Sequence, residues 1–183
     1  MKRSPMLPIA VTCAVLLGAC GKVQEAATEK AAEKMIEASM SKDGTQAKVD
    51  LSQGGLKMST TDASGKTTQM ELGSAKLTEA DLGLPFYPGS QPKEGSSMRI
   101  ANGSNVSMQQ GLHSDDPPDK VAAFYRDKLK AMAEGKQLMD MSSNDGASLS
   151  LIDDKAKSAL QVHVSKAEKG SDIAIVASRE GAK

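Results

Sequence analysis

The sequence contains few residues whose types and spacing could support catalysis. Its two histidines, His113 and His163, lie far apart, and neither has a second ligand type at helical spacing. His163 alternates with two valines, so we expect it on the polar face of a strand. There is no Gly-x-Ser-x-Gly elbow, His-Glu-x-x-His motif, phosphate loop or dinucleotide fingerprint. The sequence therefore predicts no catalytic residue and no enzyme, with a hydrolase as a third alternative.

Methionine is the residue type with the most chemical content. Eleven Met stand against two Phe, two Tyr and no Trp. Met139 and Met141 would place two thioethers on one strand face, and thioethers favour Cu(I) where no thiolate competes. The same alternation also fits two core residues. Copper handling in the periplasm is therefore an alternative function, with Met139 and Met141 as the candidate ligands, and we expect no resident metal.

Two acidic pairs, Asp115-Asp116 and Asp153-Asp154, could suggest a cation site. However, the chain has no Asp-x-Asp-x-Asp-Gly calcium loop. We interpret both pairs as cap and turn residues.

Both cysteines of the chain, Cys13 and Cys20, lie in its first twenty residues. The remainder therefore cannot contain a disulfide framework or a thiolate metal site. Lys2 and Arg3 precede an apolar run from Met6 to Ala19, an arrangement typical of a secretory signal. The run of fourteen residues would span about 21 Å as a helix, which is short of a hydrocarbon core of roughly 30 Å.

The end of this run, Leu17-Gly18-Ala19-Cys20, resembles the lipobox of bacterial lipoproteins. The resemblance implies that residues 1–19 are a signal peptide, that cleavage falls between Ala19 and Cys20, and that Cys20 carries a diacylglycerol and an N-acyl chain such as palmitate. Two or three acyl chains anchor a protein stably to a membrane. Gly21, in place of Asp, resembles lipoproteins that pass to the outer membrane, where we favour the periplasmic side. The alternative is an ordinary export signal that leaves Cys20 free.

Residues 20–44 are predicted to form a solvated helix that ends near Gly44. Glutamates four apart repel one another along it, and lysines three positions before Glu33 and Glu37 offset this. A helix that binds a partner or a second copy is the alternative. Its narrow apolar stripe is predicted to consist of Val23, Ala27, Ala31 and Met35, with Ile36 and Met40.

Residues 45–72 alternate between apolar and polar types and predict a three-strand meander with turns at 53–55 and 62–66. One face of this meander needs a cover, for which the preceding helix is the nearest candidate. Residues 73–95 are predicted to be a linker, with one helical turn at 78–81.

Residues 96–180 predict a C-terminal α+β module with the order β-β-α-β-β-β-β, an antiparallel sheet with one long helix on a face. Asp116 is assigned as the N-cap of that helix, Pro117 as its first residue and Gly135 as its stop. Residues 144–146 carry a strong hairpin signal. The predicted fold class is therefore α+β throughout.

All four aromatic residues fall in two Phe-Tyr dipeptides. We expect the loop that carries Phe86 and Tyr87 to dock on the helix that carries Phe124 and Tyr125, with Phe124 facing the sheet and Tyr125 at its margin. A small-molecule or sugar site is the alternative use of this cluster.

The stretches "LPFYPGSQ" and "SDDPPDKVAAFYRDKL", with a hairpin between them, resemble a family of uncharacterised bacterial lipoproteins and exported proteins. Those proteins share a Pro-x-Tyr-Pro-Gly stretch and a downstream Phe-Tyr helix. The segment "GTQAKVDLSQGGLKMSTTDASGKTTQMEL" is similar to the strand pair that precedes it there. The resemblance spans roughly residues 30–165 and implies a small envelope protein, without assigning a reaction.

The formal net charge of the chain is zero. Without a basic block, there is no electrostatic reason to expect nucleic acid or an anionic bilayer surface as a partner. The sequence therefore predicts a cell-envelope protein held to the membrane by its lipid. Its expected role is non-enzymatic binding or structural, with an envelope protein as the possible partner.

Overall fold

A computed structural model describes residues 20–41, 44–52, 54–143 and 145–181, and the side chains from residue 27 onward. The predicted signal peptide, including the cleavage residue Ala19, lies outside the described residues. So do the turn residues Gln53 and Asn144.

Helices and strands fall largely where the sequence predicts them. The helices are α1 (Cys20–Met40), α2 (Glu79–Leu82) and α3 (Pro118–Ala131). The strands are β1 (Gln46–Asp50), β2 (Leu56–Thr61), β3 (Thr67–Leu72), β4 (Gln91–Pro92), β5 (Met98–Asn102), β6 (Asn105–Ser114), β7 (Gln137–Ser143), β8 (Gly146–Asp153), β9 (Ser158–Lys166) and β10 (Ser171–Glu180).

The described strands form one antiparallel sheet in the order β1-β2-β3-β5-β6-β10-β9-β8-β7, with β4 paired to β6. The fold is therefore α+β with a large ten-stranded antiparallel sheet. Helix α3 packs on one face of this sheet, as predicted for the long helix of the C-terminal module. Strand β3 pairs directly with β5, with Met70 opposite Ile100. The meander and the C-terminal strands are consequently continuous, and the intervening residues 73–95 pack on the sheet through α2 and β4.

The main core lies between α3 and one face of the strands β6, β8, β9 and β10. Four α3 side chains at helical spacing are buried, namely Val121, Ala122, Tyr125 and Leu129. They meet the alternate residues of the sheet that point to the same face, including Leu149, Val162 and Ile175. Leu82 and Leu84, at the end of α2, extend this core over β6 and β10.

The short helix α2 confirms the predicted helical turn. Thr78 accepts a hydrogen bond from the backbone N–H of Asp81, and the Asp81 carboxylate accepts one from the backbone N–H of Thr78. This reciprocal capping box satisfies two backbone donors at the helix start. A single turn can thereby hold the residues that follow against the sheet.

The predicted ends of the two long helices were wrong in detail. Helix α3 begins at Pro118 with Pro117 as its N-cap, so Asp116 is not the cap, and its carboxylate is used elsewhere as described below. It ends at Ala131, before Gly135, which forms the turn that leads to β7. Helix α1 ends at Met40, four residues before Gly44.

Candidate functional site

The strand register shows which side chains share a face, because directly paired residues of an antiparallel sheet point to the same side. Met58 pairs with Met70, which pairs with Ile100. One step along, Leu56 pairs with Leu72, which pairs with Met98. We call this two-by-three array of half-buried side chains the meander patch: Leu56, Met58, Met70, Leu72, Met98 and Ile100.

The meander patch lies on the side of the sheet opposite the main core. Arg99 pairs with Met108, which is fully buried in that core, so Arg99 shares the core face. Glu71 pairs with Arg99, and Lys57 with Glu71, where the two charges lie 4.0 Å apart. The apolar side of the sheet therefore changes face between β5 and β6.

The described helices leave the meander patch without a cover. Helix α1 packs on β1, α2 on β6 and β10, and α3 on β7, β8 and β9. None of them packs to a comparable extent on β2, β3 or β5. The patch carries no ionisable side chain, so it presents only aliphatic and thioether surface.

Helix α1 lies on the same side as the patch, but at the edge of the sheet. Ala47 and Val49 of β1 are buried whereas Lys48 and Asp50 are exposed. Val49 pairs with Met58, so the buried residues point to the patch side. The predicted role of α1 as cover of the meander thus holds for β1 alone.

Three hydrogen bonds fasten α1 along the free edge of β1. The backbone N–H groups of Ala47, Val49 and Leu51 donate to Ser41, Glu37 and Glu33, at 3.1, 2.8 and 2.9 Å. Four helical residues rise about 6 Å and two strand residues about 6.7 Å, so the two rows nearly match. Glu33 and Glu37, which the sequence pattern paired only with lysines of the same helix, therefore protect an exposed sheet edge.

The predicted apolar stripe of α1 is on the wrong side for packing on its own sheet. Ala27 and Ala31 are exposed, and Met35 is 73% exposed. Of the predicted stripe, only Ile36 is half-buried among the described side chains, and it shares that side of the helix with Ala32 and the glutamates. Because the edge hydrogen bonds fix the rotation of α1, most of its apolar stripe faces solvent.

A groove of ≈ 630 Å³ lies where α1 meets the meander. Its lining includes Glu37, Val49, Met58 and Met70, together with residues that point to the opposite face of the sheet, namely Lys48, Asp50, Lys57, Ser59, Gln69 and Glu71. Of the edge hydrogen bonds, the one from Val49 to Glu37 adjoins this groove, and of the meander patch Met58 and Met70 do.

The candidate copper ligands Met139 and Met141 do not lie in the core. They are 47% and 68% exposed on the edge strand β7, so the interpretation as core residues is wrong. The core face of β7 carries Leu138, which packs against the core, and Asp140, whose carboxylate forms an ion pair with Arg126 of α3. Within the described residues, no group of three or more His, Cys, Asp or Glu side chains could hold a metal ion.

His113 is paired with a carboxylate rather than solvated alone. Its Nδ1 lies 3.1 Å from Asp172, whose other oxygen accepts a hydrogen bond from Lys93 at 2.6 Å. Lys93 first and His113 second lower the pKa of Asp172. In the strand register, Asp172 lies between His113 and Ser165. A Ser-His-Asp relay requires the histidine in the middle, so this row does not form one. His163 is exposed on its strand, as predicted.

The predicted docking of the Phe86-Tyr87 loop on α3 is confirmed. The rings of Tyr87 and Phe124 meet edge to face at 5.3 Å, and Phe86 packs against the same core. The predicted orientation on the helix was wrong, because Tyr125 is fully buried whereas Phe124 is half-buried. Tyr125 is buried because its hydroxyl accepts a hydrogen bond from the backbone N–H of Tyr87 at 2.9 Å. Burial is also the main reason that the pKa of Tyr125 is raised.

Asp116 completes this cluster. Its carboxylate accepts a hydrogen bond from the Tyr87 hydroxyl at 2.6 Å and from Lys120 at 3.0 Å. Its backbone oxygen accepts one from Ser171 at 2.7 Å. The hydroxyl groups of Tyr87 and Tyr125 are therefore both hydrogen-bonded within the protein. This is expected of a cluster that joins the loop to the helix by packing.

Helix α1 begins at Cys20, the predicted lipidation residue. No helix among the described residues is long and apolar enough to cross a membrane. No protein-family model matches the chain, and neither the curated proteins nor the solved structures contain a significant match to it.

Proposed function

We propose that the protein is a lipid-anchored component of the bacterial outer membrane, on the periplasmic side, and that it acts by binding a protein partner rather than by catalysis. The observation that carries the binding role is the meander patch. Six apolar side chains from three strands lie together on one face, without charge and without a covering helix. Apolar patches on folded domains commonly mark docking sites.

The composition of the patch also supports a protein partner. Half of its six residues are methionine, a flexible side chain that adapts to different apolar surfaces. It has no aromatic ring on which a sugar could stack. A nucleic acid would need a basic surface, and the patch has none.

The position of the anchor supports the same proposal. The first edge hydrogen bond involves Glu33, thirteen residues after Cys20. At 1.5 Å per residue, α1 would hold the sheet about 20 Å from an acylated Cys20. The patch would then be attached to the membrane while remaining accessible to another envelope protein.

The anchor is tested in cells that produce the full chain. Mass spectrometry of the mature protein should show Cys20 as the acylated first residue, with residues 1–19 absent. The variant C20S should lose the acyl mass and leave the membrane fraction. An unmodified Cys20 in a protein released by mild washing would contradict the proposal.

The docking role is tested by photo-crosslinking in intact cells. A crosslinking amino acid at Met70 should give a discrete protein adduct. The matched control is Gln69, the preceding residue of β3, which is exposed and points to the opposite face. Equal crosslinking patterns at positions 69 and 70 would show that the patch has no specific occupant.

A second candidate function, binding of Cu(I), is favoured by one observation. Met58 and Met70 are direct cross-strand neighbours, and Met98 lies diagonal to Met70. Side chains in such positions are within mutual reach, and thioethers prefer Cu(I). Titration of the protein with Cu(I) against a competing chelator tests this, with M70L as the ligand variant and M108L, at a buried core position, as the control. Affinity weaker than micromolar, or equal affinity in both variants, would end this candidate.

A further inference from the structure

Each chain presents two uncovered apolar surfaces on the same side of its sheet. One is the meander patch, and the other is the outward side of α1. We propose that the occupant of the meander patch is α1 of a second copy of this chain, and that the contact is reciprocal. This inference rests on the proposed docking role of the patch.

The outward side of α1 fits such a contact. The half-buried residues of α1 are Glu29, Ala32, Glu33, Ile36 and Glu37. Successive helical residues are about 100° apart, so the residues opposite the middle of this set form a stripe of their own, bordered by the exposed Lys34. That stripe consists of Ala27, Ala31, Met35 and Ala38, all exposed. Alanine allows the backbone of a helix to approach a sheet closely, and Met35 supplies the large side chain that would enter the patch.

The spacing of the two surfaces suits a two-fold axis parallel to α1. Helix α1 is a ridge over β1, while the meander patch on β2, β3 and β5 is centred on β3. With strands about 4.8 Å apart, the two centres are separated by about 10 Å, close to the diameter of one helix. A rotation of 180° about an axis above β2 would place the ridge of each copy over the patch of the other. Two helices would then lie side by side between two sheets.

The direction of the axis agrees with the proposed anchor. A two-fold axis parallel to α1 leaves the two helices parallel, so both Cys20 residues lie at the same end. Two acylated cysteines could then enter one membrane. An antiparallel pair would send the anchors in opposite directions.

The size of the contact indicates how strong the dimer should be. The described side chains of α1, Ala27 to Met40, extend about 21 Å, and a helix is about 10 Å wide, which gives roughly 200 Å² of projected surface for each contacting face. Four such faces total about 800 Å², below the roughly 1,200 Å² of a standard interface. The dimer should therefore be weak in detergent and stronger on a membrane, where anchoring raises the local concentration.

Cysteine crosslinking tests the arrangement directly. The full chain is suited to this, because Cys13 lies in the predicted signal peptide and Cys20 would be acylated. Two differently tagged copies are produced together, one with Met35→Cys and the other with Ile100→Cys, and membranes are treated with a short bis-thiol reagent. We expect a heterodimeric adduct. The control replaces Ile100→Cys by Arg99→Cys, the exposed neighbour on the opposite face, and should give at least tenfold less adduct.

A second variant separates loss of association from loss of folding. Met35 is 73% exposed in the single chain, so Met35→Glu should leave thermal unfolding in detergent unchanged. It should reduce the Met70 photo-adduct between copies at least tenfold. If Met35→Glu left the Met70 photo-adduct between copies unchanged, the proposal would be overturned. Equal amounts of bis-thiol adduct from Ile100→Cys and Arg99→Cys would also overturn it.

The crosslinks also distinguish this inference from the proposed function. A Met70 adduct with a different envelope protein would overturn the second copy as occupant and leave the docking role intact. The absence of any Met70 adduct above the Gln69 control would overturn both.

Discussion

The hydroxyl of Tyr125 accepts a hydrogen bond from the backbone N–H of Tyr87 at 2.9 Å, and both residues are buried. This bond joins the loop that precedes β4 to the helix that covers the C-terminal strands. The ring of Phe124 then closes the joint by an edge-to-face contact with Tyr87. Residues 73–95 are thereby held against the domain that follows them.

Replacement of Tyr125 by Phe should destabilise the protein. It would leave the buried N–H of Tyr87 without its acceptor, which costs about 1–3 kcal/mol. Tyr87→Phe is the matched comparison and should cost less, because its partner Asp116 keeps Lys120 and is partly solvated. Urea denaturation followed by circular dichroism measures both. Equal denaturation midpoints for Y125F and the unmodified protein would contradict this account.

The aromatic joint should also make stability depend on pH. The Tyr87 hydroxyl first, and Lys120 second, lower the pKa of Asp116 below its ordinary value of 3.8. A carboxyl with a lowered pKa in the folded state contributes stability above its unfolded pKa and loses it as the pH falls through the folded value. The difference in unfolding free energy between the unmodified protein and D116N should thus be constant above about pH 5 and shrink below pH 3.8.

Urea midpoints measured across that pH range check this prediction. D127N, at an exposed position of the same helix, serves as the control. A difference between the unmodified protein and D116N that does not change with pH would show that the Asp116 contacts do not contribute in this way.

Removal of the glutamate acceptors should open the edge of the sheet. In E33A/E37A, the N–H groups of Val49 and Leu51 lose the acceptors that α1 supplies. We expect their amide hydrogen exchange to accelerate at least about tenfold, because local opening determines protection. The control K30A/K34A changes two exposed charges of the same helix and should leave exchange at both amides unaltered. Unchanged protection in E33A/E37A would mean that α1 does not shield β1.

The sequence predicted local structure better than it predicted which side of an element is buried. Alternation and turn residues located nine of the ten described strands, because strand period and turn chemistry are properties of neighbouring residues. The strand β4 lies in the segment interpreted as a linker and was missed. The burial of Tyr125 depends on an acceptor needed by Tyr87, 38 positions away. The rotation of α1 depends on unpaired N–H groups of β1, which exist only because β1 is an edge strand.

The same difference between local pattern and long-range contact applies to the candidate site. Each residue of the meander patch could be assigned to an apolar strand face from its alternation. The pairing of β3 with β5, which brings Met98 and Ile100 beside Met70, joins residues on either side of the segment interpreted as a linker. The change of apolar face between β5 and β6 likewise appears only when the register is known, so sequence reasoning pointed to Met139 and Met141 instead.

The turn between β9 and β10 provides a test of how closely the backbone packs against the end of β6. Gly170 and Gly89 both adopt a positive φ, of 70° and 79°. An alanine at either position would be strained by about 1–2 kcal/mol. At Gly89 the added Cβ would meet open space, whereas at Gly170 it would overlap the carbonyl oxygen of Ser114 and the backbone of Asp115. G170A should therefore lower the unfolding free energy by at least about 2 kcal/mol more than G89A, because the backbone itself must shift. Denaturant unfolding of the two variants measures the difference, and equal losses would show that the β9–β10 turn does not pack on the end of β6 as described.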